Sequence, residues 1–230
     1  MLKLGDTGLK VLHKIARLTY RIPRLSFEAR LIEYDFAHKN ITGGAGSKIL
    51  DVGCYGSKLP VELAKKGHEV YGIDVGSYPD QGAFTFIQGD ITHMPFDDEF
   101  FDVVMTISTI EHVGLGRYGD PIAPDGDKEA MNEIERVLKP GGQLIMTIPC
   151  GQDTICYSKA NIPLSRVYSP ESLIRLLSGF QVMECAYIVK RKRVWLPASM
   201  REAEEVVRKA KPERTGMVAI ALIVAYKDKK

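Results

Sequence analysis

The chain has 230 residues, 45% of them hydrophobic, and its 31 basic and 29 acidic side chains leave a formal net charge of +2. That length and apolar content suit one large α/β domain with a sizeable core and exclude a chain disordered throughout. The near balance of charge argues against a nucleic-acid partner, and the longest apolar stretch, Met217 to Ala225, is far short of a membrane span.

Four cysteines, Cys54, Cys150, Cys156 and Cys185, form no CxxC pair and no His/Cys metal spacing, so they read as reduced thiols of a cytoplasmic protein with no metal site. The N-terminus lacks the apolar core and cleavage site of a secretory signal. It is free of acids from Thr7 to Phe27 and carries Lys10, Lys14, Arg17, Arg21 and Arg24. A transit peptide is the minority reading there, because serine is scarce.

In chain order, Leu9, Leu12, Ile15, Ala16, Thr19 and Ile22 share one helical face, opposite the basic residues. Pro23 ends that helix, and Ser26 caps a second, in which Phe27, Leu31, Tyr34 and Ile41 share a side. Thr42-Gly-Gly-Ala-Gly46 is a linker. Residues 1–46 are therefore expected to be a helical extension or lid, and 47–230 the main domain. The basic stripe reads as a solvated face, with contact to an anionic substrate or a membrane surface as the sharper alternative.

Beyond the linker, strands and helices alternate. Strands are predicted at Lys48–Val52, Glu69–Asp74, Phe84–Gln88, Asp102–Ser108, Gln143–Ile148, Val182–Lys190 and Val218–Tyr226. Helices are predicted at Leu59–Lys66, at Lys128–Leu138 with Asp127 as its cap, from Pro170 to Gly179, and at Met200–Ala210. Lys190-Arg-Lys-Arg193 reads as a charged turn or edge rather than a nucleic-acid patch. Near-continuous apolar strands alternating with helices imply a doubly wound, mostly parallel sheet of seven strands, covered on both faces. Ligands of such sheets bind beyond the carboxyl ends of the strands, at the switch point. Those ends supply Asp51 and Gly53, Asp74, Asp90, Ser108 to His112, and Pro149 to Asp153.

The glycine turn after the first strand, Gly53-x-x-Gly56, is too irregular for a dinucleotide fingerprint. The combination is more specific: Asp51-x-Gly53, Asp74 after Gly72-Ile73, Gln88-Gly-Asp90-Ile91, Met94-Pro-Phe96, Phe101-Asp-Val-Val104, and Glu133 to Gly142 with its Leu-Lys-Pro-Gly-Gly run. Over residues 47 to 150 these motifs resemble the class I methyltransferases that use S-adenosylmethionine, above all the group related to ubiquinone and menaquinone methyltransferases. Glu111-His-Val-Gly-Leu-Gly-Arg-Tyr-Gly-Asp-Pro121 further resembles a subfamily of methyltransferase-like proteins of unknown function, some associated with glycan biosynthesis. The resemblance implies a Rossmann-like methyltransferase fold. It also implies that Asp51, Gly53 and Gly56 frame the methionine part of the cofactor and that Asp74 takes the ribose hydroxyls. Asp90 would accept from the adenine amino group, Ile91 would pack near the ring, and Ser108 would line the methyl-donor end. Tyr55 and Ser57 stand where that family commonly has glycine.

Methyl transfer depends mainly on in-line alignment, and a hydroxyl acceptor also benefits from a base. His112 is the best-placed base, since its pKa lies near the working range; Glu111 orients it, holds the cofactor or stabilises the loop. In the glycine-rich loop 114–127, Arg117 suits a carboxylate or phosphate on the acceptor, Tyr118 suits stacking, and Asp120 accompanies them; the rival is a self-packed loop held by an Arg117–Asp120 pair. Arg166 and Tyr168, with Asp153, form a second candidate acceptor cluster after strand five.

The resulting expectation is a methyltransferase acting on a small molecule or glycan, at oxygen. No Asp/Asn-Pro-Pro-Tyr motif follows strand four, which disfavours adenine amino methylation, and no Pro-Cys nucleophile follows it, which disfavours cytosine C5 chemistry. The alternatives are a quinone or lipid methyltransferase, with the N-terminal helices as an apolar lid, and a non-catalytic cofactor-binding partner subunit.

Overall fold

A computed structural model describes residues 27–79, 82–192, 194–210 and 218–229. The expected first helix, the Ser26 cap, the basic N-terminal stripe and Arg193 lie outside the described residues. In chain order the elements are α1 (Phe27–Asn40), β1 (Lys48–Val52), α2 (Leu59–Lys65), β2 (Glu69–Asp74), β3 (Thr85–Gln88) and β4 (Phe101–Ile107). There follow α3 (Gly126–Val137), β5 (Leu138–Pro149), β6 (Thr154–Tyr157), β7 (Pro163–Val167) and α4 (Pro170–Leu176). The chain ends with β8 (Phe180–Arg191), β9 (Val194–Ala198), α5 (Met200–Lys209) and β10 (Ala219–Lys227).

Eight strands form one sheet in the order β3-β2-β1-β4-β5-β10-β8-β9, and β6-β7 stand apart as a hairpin. The pairs β3-β2, β2-β1, β1-β4 and β4-β5 are parallel, whereas β10 is antiparallel to both its neighbours. The strand order reverses between β1 and β4, which opens a crevice at their carboxyl ends. Both faces are covered, so neighbours that point opposite ways are buried alike: Ile49 packs with Leu59, Leu63 and Val103, while Leu50 packs with Val104, Ile134 and Leu144. That is why these strands read as unbroken apolar runs.

The seven predicted strands all form, and an eighth extends the sheet. β9 pairs antiparallel with β8 across the charged turn, with Ile188 opposite Pro197. Proline survives there because β9 is the edge strand and, among the described residues, has no outer neighbour to donate to. Asp127 is not the cap of α3: Asp125 occupies that position, while Asp127 lies buried in the first turn and accepts from the Tyr168 hydroxyl at 2.8 Å. The α1 face is only in part the expected one: Tyr34 and the following Ile41 do pack against the core, but as half-buried residues. Ala29, Glu33, Phe36 and Ala37 are the buried positions, so the inward stripe contains an acid that an apolar periodicity cannot reveal.

Several signature residues serve the amino ends of the strands, away from the crevice. Asp102 accepts from the Lys48 backbone N–H at 2.9 Å and from Lys139 Nζ at 2.6 Å, joining β4, β1 and the start of β5. Arg136 donates to the Phe96 and Met94 carbonyls at 2.8 and 2.9 Å, and Glu133 accepts from the Met94 N–H at 2.7 Å. The α3 end thereby fixes the loop carrying Met94-Pro-Phe96. Phe101, fully buried, packs edge-on against Tyr71, Phe96 and Phe100 with ring centroids 4.9–5.4 Å apart.

Truncating Phe101 removes the centre of that cluster, and Phe101→Ala is expected to cost about 3–5 kcal/mol, read from urea denaturation. A loss under about 1 kcal/mol would mean that the four rings do not pack as a unit.

Candidate active site

The crevice is a cavity of about 760 Å³, within the range of small-molecule sites. The turn after β1 forms its floor. Gly53 has φ +77°, and a Cβ there would stand 2.2 Å from the Thr109 side chain, so only glycine lets the two turns after β1 and β4 pass. The same turn explains one of the two missing glycines. Ser57 is buried, and its Oγ accepts from the Leu59 N–H at 3.2 Å at the entry to α2.

The three strand-end acids and both glycines of the turn line this one cavity, together with Ile91, Ser108, His112, Tyr118 and Asp120. Asp51 is 2% exposed, and its Oδ2 has no hydrogen-bond partner among the described residues. Burial pushes its pKa up to about 7, against the opposing effects of a Ser57 hydrogen bond and the Arg30 charge. Asp74 accepts from the N–H groups of Tyr55 (2.9 Å, Oδ2) and Gly76 (2.8 Å, Oδ1), leaving further lone pairs on both oxygens. Asp90 accepts through Oδ1 from the Thr92 N–H at 2.9 Å and hydroxyl at 2.8 Å.

The α1 helix supplies one wall. Arg30 and Tyr34 line the cavity, and Arg30 Nη1 donates to the Ile107 carbonyl at 2.6 Å. Glu33 accepts from the Thr147 hydroxyl at 2.6 Å and from the Ser108 hydroxyl. Ser108, with φ +48°, is the residue at which the chain leaves β4 and turns into the short helical turn Ile110–His112. Sequence reasoning missed Arg30, Glu33 and Tyr34. Tyr34 was assigned to packing, and nothing in the local pattern marks a pair of charges on α1 as facing a strand end 75 residues away.

His112 is held by its Nδ1, which lies 2.6 Å from the Leu164 carbonyl in β7. A carbonyl only accepts, so Nδ1 carries the proton and Nε2 keeps its lone pair. Desolvation lowers the His112 pKa to about 4, outweighing the Leu164 bond that raises it. Glu111 is 1% exposed, with Oε1 3.7 Å from His112 Nε2 and Oε2 unpartnered among the described residues. Burial first, and the Glu33 charge second among the raising causes, push its pKa up to about 8.

The loop after this turn is organised by Asp120, which accepts from the N–H groups of Gly114 (2.8 Å), Gly116 (3.2 Å) and Tyr118 (3.1 Å). Arg117 does not pair with Asp120. It donates to the Leu164 carbonyl at 2.8 Å and lies 5.0 Å from the Tyr118 ring centroid. Tyr118 meets His112 edge-on at 5.5 Å. Arg166 and Tyr168 stand outside the cavity lining. Arg166 donates to the carbonyls of Val113 and Pro124 and stands 3.7 Å from Asp127, binding the β6-β7 hairpin to the loop. Tyr168 spends its hydroxyl on Asp127. Asp153 accepts from Ser169 and Ser172 at the start of α4.

Residues 91–216, more than half of the chain, match the family described as "Caenorhabditis protein of unknown function, DUF268". A ubiquinone biosynthesis O-methyltransferase of Vibrio vulnificus (strain YJ016) is 29% identical over 127 residues, 50% of this chain and 49% of that protein. The chain thus matches about half the length of that curated relative. Among solved structures, the [4+2]-cyclase SpnF superposes with a TM-score of 0.62 at 18% identity, over 86% of this chain and 80% of that one. The 1,6-didemethyltoxoflavin-N1-methyltransferase of Burkholderia thailandensis, solved with 1,6-didemethyltoxoflavin and S-adenosylhomocysteine, superposes with a TM-score of 0.58 at 14% identity, over 99% and 92%. The chain belongs to the family of that description, Caenorhabditis protein of unknown function, DUF268, and is built on the fold of the class I S-adenosylmethionine-dependent methyltransferases.

Proposed function

We propose that the protein is an S-adenosylmethionine-dependent methyltransferase that methylates an oxygen of a small-molecule or glycan acceptor. The observation that carries this reading is the convergence of Asp51, Asp74, Asp90 and His112 on one cavity at the switch point of the sheet. The donor set suits the cofactor. It carries an ammonium and a sulfonium, and the cavity offers the unpartnered Oδ2 of buried Asp51. Its ribose and adenine present hydroxyl and amino donors, and Asp74 and Asp90 offer carboxylate lone pairs beside Ile91. Gly53 and Gly56 themselves add no side chain to the floor.

When bound, the cofactor supplies a methyl group already activated on sulfur. The chain's task is to orient the acceptor and take its proton. Geometry favours His112 for the second role, since Nδ1 is committed to Leu164 and the free lone pair is at Nε2. Its pKa of about 4 corrects the expectation of a base tuned near the working range, because burial keeps the ring neutral at pH 7 and also makes it a weaker base than an ordinary imidazole. Glu111 is protonated at that pH and leaves His112 Nε2 without a competing carboxylate charge. Tyr118 lines the cavity edge-on to His112, which favours it as the group that meets the acceptor. Arg117 stands outside the lining, against the Tyr118 ring and the Leu164 carbonyl, which favours a supporting role, and Asp120 shapes the loop that carries both. Ser108 belongs to the same end. The bonds of Arg166 and Tyr168 favour a supporting role for both rather than contact with the acceptor. The helical segment within residues 1–46 acts in this reading as a wall of the site through α1. The name of the Vibrio vulnificus relative supports a quinone acceptor as the second reading.

S-adenosylhomocysteine at about 100 times its Kd is expected to add about 2.7 kcal/mol of stability, about 5–10 °C in melting temperature for a domain of this size. No shift with either that compound or S-adenosylmethionine at millimolar concentration sinks the cofactor assignment. Turnover is then sought with sugars, uronic acids and quinones; methylation of quinones alone favours the second reading, and binding without any turnover favours a non-catalytic partner subunit. His112→Asn is expected to lose about 10²–10⁴-fold in turnover while binding S-adenosylhomocysteine unchanged; full turnover in the variant removes His112 as the base.

The raised carboxyl of Glu111 has a consequence for stability. Folded protein keeps its proton up to about pH 8, while the unfolded chain releases it near the ordinary glutamate value of 4.5. Between those values the folded state binds more protons, so stability falls as pH rises from about 4.5 to about 8. Melting temperatures measured across that window are expected to fall less steeply for Glu111→Gln than for the parent, and identical slopes would rule out a buried, protonated Glu111.

A further inference from the structure

Tyr55 stands where a glycine is common in related turns, yet it does no structural work that the side chain explains. Its backbone N–H donates to Asp74 Oδ2 at 2.9 Å, a bond any residue but proline would make. Its side chain is 67% exposed and engages no hydrogen bond or ring contact among the described residues. A tyrosine left in water forgoes the burial that normally accounts for a large aromatic residue. Its place is nonetheless defined. Asp74 holds the backbone of Tyr55 through one oxygen and that of Gly76 through the other. A Cβ on Gly76 would lie 3.1 Å from Tyr55 Cδ2 and 3.6 Å from Cγ, so the ring rests against the one position after β2 that has no side chain to push it away. In this position Tyr55 lines the same cavity as Asp74, Val75 and Gly76.

We propose that Tyr55 is an aromatic wall of the nucleoside end of the cavity, a specificity-determining residue that covers the adenosine part of the ligand and is itself buried by it. This rests on the S-adenosylmethionine reading above. An aromatic face beside Asp74 adds dispersion and π contact to the polar recognition that the carboxylate supplies. It narrows the mouth at the ribose side and leaves the methyl-donor end, at Ser108 to His112, untouched.

The test measures Kd for S-adenosylhomocysteine and for adenosine by calorimetry, in the parent chain and in Tyr55→Ala and Tyr55→Phe. Tyr55→Ala is expected to weaken both ligands to a similar extent, by about tenfold, and Tyr55→Phe to leave both within about twofold. Because the side chain is exposed, the ligand-free melting temperature of each variant should match that of the parent. Unchanged affinity in Tyr55→Ala overturns the proposal, as does a loss confined to S-adenosylhomocysteine, which would put Tyr55 at the amino-acid half. If the parent chain binds neither ligand, the cofactor reading itself fails, an outcome distinct from a parent that binds and a Tyr55→Ala variant that binds equally well.

Discussion

One buried carboxylate, Glu33, ties the helical layer to the crevice. It sits 2% exposed on α1 and accepts from Thr147 on β5 and from Ser108 at the end of β4. Three elements far apart in the chain therefore meet at two hydrogen bonds. Ser108 is held at φ +48°, a backbone conformation that a residue with a Cβ adopts at a cost, and the bond to Glu33 offsets part of it. From that kink the chain runs into the turn that presents Glu111 and His112, and Thr109 passes over Gly53. Losing Glu33 would take the shared acceptor from two hydroxyls, leaving them only each other at 3.5 Å, and would leave the Arg30–Ile107 bond to hold the helix wall against β4.

How much of this was legible in the sequence depended on whether the signal was local. The parallel strands announced themselves because both their faces are buried, and Ile49 and Leu50 or Val103 and Val104 are apolar in succession. The β9 strand was lost because Val194 to Ala198 is short, follows a charged turn and contains Pro197. The β6-β7 hairpin was lost because its two strands, four and five residues long, carry too few inward positions to show a period. Asp51, Asp74 and Asp90 stood out because each ends a readable strand. Arg30 and Glu33 did not, since a charged residue on a helix reads as solvent-facing until the partners that bury it are known.

The recognisable motifs divide by position along the strands. Phe101-Asp102, Glu133 to Arg136 and Lys139 act at the amino ends, where their bonds to Lys48, Met94 and Phe96 hold the sheet and its loops in register. Gly53, Asp74, Asp90 and His112 act at the carboxyl ends, around the cavity. A run of residues can therefore identify the architecture strongly and contribute nothing to chemistry. The loop from Gly114 to Asp127 falls between these classes. Two of its acids are committed inward, Asp120 to backbone N–H groups and Asp127 to Tyr168, while Tyr118 stays 56% exposed at the mouth.

The electrostatics of the cavity follow from the same burial. Asp51 and Glu111 are each shut away from water beside a single arginine, Arg30, and Glu33 adds a third acid to the cluster. Three ionised carboxylates around one guanidinium would repel, and desolvation resolves this by raising the Asp51 pKa to about 7 and that of Glu111 to about 8. A cation approaching the Asp51 oxygen that has no partner among the described residues would lower the pKa of that carboxyl again. Such a wall favours a positively charged ligand over a neutral one without holding the full repulsion beforehand. At its other end a neutral His112, kept so by burial, adds no positive charge to oppose that ligand. That distribution of charge is the one the proposed cationic donor and neutral His112 require.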